Sequence, residues 1–78
     1  MKPDDAFALV REELADATKK FGKFASPHEG IAVIEEEFLE MREAVFWPKR
    51  GGDASLEAIQ LAAMAVRFLV DLEGEEPS

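Results

Sequence analysis

Two interruptions divide this chain and decide its architecture. Ser26-Pro27-His28-Glu29 puts serine at an N-cap, proline at the first helical position and glutamate at N3, the make-up of a capping box. Trp47-Pro48-Lys49-Arg50-Gly51-Gly52 has the opposite effect, because a residue before proline is driven out of the helical region and the stretch reads as a short, basic, flexible loop. Around these marks apolar residues recur at three- and four-residue steps without strand-like alternation, which predicts helices over about 4–21, 27–46 and 55–72. Asp4 or Asp5 is expected to cap the first helix, Gly22 to stop it, and Asp53 or Ser55 to cap the third. Residues 74–78 read as a flexible tail. The expected fold class is all-α, a single domain over residues 1–78.

The three faces differ. The first helix carries Phe7, Val10, Leu14, Ala17 and Phe21 on one stripe. In the second, Ile34, Phe38, Met41 and Val45 form the expected core face, although five of the nine residues from Glu35 to Glu43 are glutamates. The third is apolar on two sides, through Leu56, Ile59, Ala63, Val66 and Val70 on one and Leu61, Ala65, Phe68 and Leu72 on the other. Between those flanks runs a narrow stripe of Glu57, Gln60, Met64, Arg67 and Asp71. A helix apolar nearly all round is buried nearly all round, and three helices do not enclose it. A chain of 78 residues also buries a small share of its surface, and with no cysteine it has no disulfide to compensate. The expectation is a helical bundle completed by homo-oligomerisation, as a homodimer or a tetramer.

Charge narrows the partners. With 17 acidic and 9 basic residues the formal charge is −8, which repels nucleic-acid backbones and anionic membrane surfaces. General nucleic-acid binding is not expected. Residues 1–10 hold Asp4 and Asp5 and no apolar run suited to a signal peptide, and no stretch approaches the roughly 20 apolar residues of a membrane span. A cytoplasmic location is the corresponding expectation.

The glutamates pose the chemical question. Glu37 and Glu40 are neighbours on a helix, with Glu36 beside them, and together they straddle the edge of the apolar stripe. Glu57 lies near the start of the next helix and Gln60 one turn further on. Antiparallel packing places that start nearest the end of the second helix, so the acids meet only if the loop offsets the two helices. Carboxylates that do meet repel one another unless a cation neutralises them. Oxygen-only ligation favours a hard ion such as Mg²⁺, which uses a few carboxylates together with substrate phosphates and lets an acidic site take an anionic substrate. The competing reading is a solvated acidic face. It suits Glu35 and Glu43 but does not explain Glu57, set beside Leu61, Met64 and Phe68. Arg67 can pair with Glu57, Asp71 or a phosphate, and Lys23 and Lys49 are the other candidates for phosphate contact, with Lys19, Lys20 and Arg50 nearby. His28 reads as a cap or surface residue, and Phe46 and Trp47 as a seal on the bundle end or a subunit contact.

The run SPHEGIAVIEEEFLEMREAVF followed by LEAIQLAAMAVRFLVDL resembles the MazG-like all-alpha nucleoside triphosphate pyrophosphohydrolases, over roughly Phe21 to Leu72. Their signature is E-E-x-x-E on one helix and E-x-x-D on the next. Glu36-Glu37-Phe38-Leu39-Glu40 matches the first half. Glu57-Ala58-Ile59-Gln60 matches the second except at its last position, where glutamine stands in place of aspartate. The resemblance implies Mg²⁺-dependent cleavage of a nucleoside or deoxynucleoside triphosphate to a monophosphate and pyrophosphate. It implies Glu37, Glu40 and Glu57 as metal ligands, Gln60 at the remaining ligand position, and Glu36 as a further ligand or the group that orients the attacking water. Gln60 offers a carbonyl oxygen without charge, so metal affinity should fall or depend more on substrate phosphates. The alternative it leaves open is a catalytically degenerate relative that binds nucleotides or other proteins.

Overall fold

The computed structural model describes residues 1–73. Among them are three α-helices and no strand: α1 spans Pro3–Lys20, α2 Pro27–Phe46 and α3 Ala54–Phe68. A 3₁₀ turn, Pro48–Arg50, joins α2 to α3, and α3 runs on into a wider π turn, Leu69–Glu73. The all-α class and the helix positions match the sequence reading. The residues expected as a flexible tail, 74–78, lie outside those described.

Local chemistry explains the ends. The Ser26 hydroxyl accepts the Glu29 N–H at 3.2 Å, as a capping box requires, while the Glu29 carboxylate reaches one residue further back than expected and accepts the Ala25 N–H at 2.7 Å. Asp53 caps α3 by accepting the N–H groups of Ser55 and Leu56 at 3.0 and 3.2 Å. At α1 the expectation fails. Proline at the first position leaves Lys2 as N-cap with no side-chain cap, and Asp4 and Asp5 instead sit within the first turn, where their charge meets the positive end of the helix dipole. Helix α1 ends at Phe21, whose extended backbone turns the chain away. Gly51, at φ 92°, is the position that needs glycine, since it takes the left-handed conformation that closes the 3₁₀ turn. The basic stretch is thus an ordered reversal.

Helix α3 is the shared floor: it packs against both α1 and α2, which barely touch each other. Helices α2 and α3 are drawn together at both ends by glycine. A Cβ on Gly52 would lie 2.9 Å from Ala44 Cβ, and one on Gly30 would lie 2.6 Å from the Phe68 ring. The core consists of Ala17, Phe24, Ala63 and Met64, with Val10, Leu14, Val33, Ile34, Phe68 and Leu72 around it.

The apolar stripes are less covered than their spacing predicts. Phe7, Phe21, Phe38, Val45, Leu56 and Val70 are exposed, and Phe46 and Trp47 stand open with the Arg42 guanidinium over both rings. No large side chain is fully buried among the described residues. The reason is geometric: three helices in two layers give each helix one covered side, and periodicity reports the second apolar side whether or not a neighbour covers it. It is the polar stripe of α3 that faces inward, with Met64 and Arg67 buried and Glu57 and Gln60 half-buried.

Candidate metal centre

The offset that the acids need is supplied by the 3₁₀ turn. Because Gly52 lies directly on Ala44, α3 starts alongside the last turns of α2. Glu57 is five residues beyond Gly52 and Glu40 is four residues before Ala44, so at about 1.5 Å per helical residue the two come level. Glu37, Glu40 and Glu57 each present a carboxylate oxygen, and these oxygens lie within 4.8 Å of one another.

The electrostatics of this cluster are unfavourable without a counter-charge. Burial, and then the charges of Glu40 and Glu57, push the Glu37 carboxyl up to about 7. Burial first, and then a hydrogen bond and charge from Glu40, raise Glu57 as well. Glu37 Oε2 and Glu57 Oε2 are inaccessible to solvent and have no hydrogen-bond partner. Buried polar atoms are nearly always partnered, and two orphaned carboxylate oxygens in one cluster are groups that either a cation or a proton would satisfy. A hard divalent ion fits. All donors are oxygen, the donor type that a hard divalent ion such as Mg²⁺ takes.

The cluster adjoins two clefts. The larger, about 640 Å³, lies between α1 and α2 with α3 as its floor, and Glu36, Glu37 and Gln60 are among its lining residues. Lys20 and Lys23 line the same cleft, whereas Lys49 does not. The smaller, about 220 Å³, lies on the other side of the acids and is lined by Glu40, Glu57, Trp47 and Arg50. Glu36 is exposed in the larger cleft and stands outside the three-carboxylate cluster. Glu35 and Glu43 are exposed as expected, and Glu43 pairs with Arg50 at 3.5 Å.

Arg67 reaches the cleft floor with its donors already engaged. Its Nε lies 3.4 Å from Asp71 Oδ2, its Nη2 donates to the Gly22 carbonyl, and its guanidinium sits 4.1 Å from the centre of the Phe24 ring. Asp71 Oδ2 also accepts the Phe24 N–H at 3.0 Å. This node ties the α1–α2 connection to α3, and so holds the cleft's end wall in place. The sequence reading missed Glu13 and Asp16 of α1, which line the larger cleft. For Glu13 a signal was available, since it lies one turn before Ala17 on the same side of the helix. No family model, curated protein or solved structure matches the chain. The resemblance to the MazG-like enzymes therefore stands on its motif residues, and the functional reading on the geometry of Glu37, Glu40 and Glu57.

Proposed function

We propose that this protein is a Mg²⁺-dependent pyrophosphohydrolase of nucleoside or deoxynucleoside triphosphates, acting as a homo-oligomer. The observation that carries the reading is the convergence of Glu37, Glu40 and Glu57, with two orphaned oxygens, beside a cleft of about 640 Å³. Those three carboxylates would hold the ion, with Gln60 beside them as a neutral oxygen donor. Magnesium bound there supplies neutralisation of phosphate charge and polarisation of a phosphoryl oxygen.

The chain's own residues account for the rest. Glu36, exposed next to Glu37, would accept the proton of a water directed at the α-phosphorus. The bond to the β-phosphate breaks, and pyrophosphate and a nucleoside monophosphate leave. The Gln60 amide can donate a hydrogen bond to a phosphate oxygen, which an aspartate at this position could not. Lys20 and Lys23 would meet the outer phosphates. Glu13, Asp16 and Glu29 also line the cleft, so a triphosphate without its cation is repelled and binding should require Mg²⁺.

Incubation with a panel of ribo- and deoxyribonucleoside triphosphates is expected to release pyrophosphate with Mg²⁺ and none with EDTA. Absence of both turnover and Mg²⁺-dependent nucleotide binding would sink the proposal. The second reading, a degenerate relative that binds without hydrolysing, is favoured by Gln60 at the fourth ligand position. Activity that appears only in Gln60→Asp would select it, and equal activity in parent and variant would exclude it.

A further inference from the structure

On α2, Ile31, Ile34, Phe38, Met41 and Val45 recur at alternating three- and four-residue steps, the spacing of a helix-pairing seam. Ile34 and Met41 are half-buried. Ile31, Phe38 and Val45 lie open, with Leu39 and Phe46 beside them, all five between 50% and 63% exposed. With full side-chain areas on the order of 150–250 Å² for the aromatics, they offer roughly 500 Å² of apolar surface on one face. That is a large part of the roughly 800 Å² each partner contributes to a standard interface. Two charges are set among them, Glu35 and Arg42. They are seven residues apart and so share one angular position on the helix.

We propose that this face of α2 is a self-docking surface on which a second copy of the chain lays its own α2 antiparallel, about a twofold axis beside Phe38. The orientation follows from the charges. In an antiparallel pair, Glu35 of each copy faces Arg42 of the other, which gives two attractive contacts. A parallel pair sets Glu35 against Glu35 and Arg42 against Arg42, which gives two repulsive ones. The same register has a steric counterpart. Residues 31 and 46 stand as symmetrically about the axis as 35 and 42, so Phe46 of one copy meets Ile31 of the other. Ile31, Pro27, His28 and Phe68 line an apolar groove of about 310 Å³, and Phe46 projects at 63% exposure. Each copy thus carries both a knob and the hole that receives it, as an isologous interface requires. Glu37 and Glu40 lie on a different side of α2, so pairing leaves the acid cluster open. The inference rests on the self-association proposed above and adds its surface and orientation.

Sedimentation equilibrium over a concentration series tests it, on the parent, Glu35→Arg, Arg42→Glu and the double variant. Both positions are exposed, so folding should persist, and circular dichroism verifies that it does. The parent is expected to dimerise. Each single charge reversal should weaken the dimer by about tenfold or more, because two attractive pairs become two repulsive ones. The double variant, which restores both pairs with the signs exchanged, should return to within about threefold of the parent by the same reasoning. A dimeric parent with unaffected single variants would overturn the surface while leaving self-association intact. A parent that stays monomeric throughout would overturn both.

Discussion

At the scale of single residues, the acid cluster makes a statement about stability as well as chemistry. Glu37 titrates near 7 in the folded chain against an ordinary value of 4.5, so between those values the folded state holds a proton that the unfolded state has released. Stability from this group is therefore present at low pH and lost as pH rises through about 7. The metal-free protein should melt at a higher temperature at pH 5 than at pH 8. Mg²⁺ should raise the melting temperature more at pH 8, where it has no proton to displace. The net charge of −8 gives a background trend of the same sign, which Glu37→Gln separates. That variant should melt with a shallower pH dependence and lose most of its response to Mg²⁺. An unchanged slope in thermal melts from pH 5 to pH 8 would show that the glutamate is solvated and the cluster does not hold. Which glutamates matter was partly legible in the sequence: helix angle sets Glu35 apart from Glu37 and Glu40, whereas Glu36 and Glu43, seven residues apart, share one angular position and are both exposed. The pairing of Arg67 with Asp71 was legible too, as an i,i+4 contact on one stripe, but its engagement with the Gly22 carbonyl was not, because backbone from a distant loop leaves no trace in helical spacing.

At the scale of elements, most of what depends on local sequence could be read, the N-cap of α1 excepted, and what depends on a tertiary approach could not. Ser26, Pro27 and Glu29 announce the start of α2, and Pro48 its end, because caps and proline act within a few residues. The α2–α3 offset that brings Glu57 to Glu40 depends instead on Gly52 resting against Ala44, a contact between residues that carry almost no side chain. Nothing in apolar periodicity signals such a contact. It has a direct test. A methyl group on Gly52 would stand 2.9 Å from Ala44 Cβ and must push the start of α3 away from α2, whereas one on Gly22 meets nothing within 4 Å. Gly52→Ala should cost about 1–3 kcal/mol in urea denaturation, the usual range for overpacking. It should also weaken Mg²⁺ binding, because Glu57 moves with the helix. Gly22→Ala should do neither. If Gly52→Ala bound Mg²⁺ as the parent does, in calorimetric titration, the turn would not be what sets the site.

At the scale of the whole molecule, the two apolar sides of α3 and the outer apolar face of α2 pose the same question. The chain measures 48 × 29 × 19 Å, and its thin dimension leaves room for two layers of helices, each about 10 Å across. Two layers give α3 one covered side. That is why Phe38, Val45, Leu56 and Val70 read as core in the sequence and stand open in the fold. A chain whose core consists of Ala17, Phe24, Ala63 and Met64 has little burial with which to oppose conformational entropy. Burial of those open residues between copies would supply what is missing, and folding would then be coupled to association. Coupled folding has a signature that does not depend on which face is used: mass action makes the melting temperature rise with protein concentration. For a dimer of this size that unfolds to two chains, each tenfold increase in concentration should raise the midpoint by about 3–5 °C. Calorimetric scans across two decades of concentration would measure it. A midpoint that stays constant would mean that the three helices sustain themselves alone and that the open apolar faces contribute nothing to holding the chain folded.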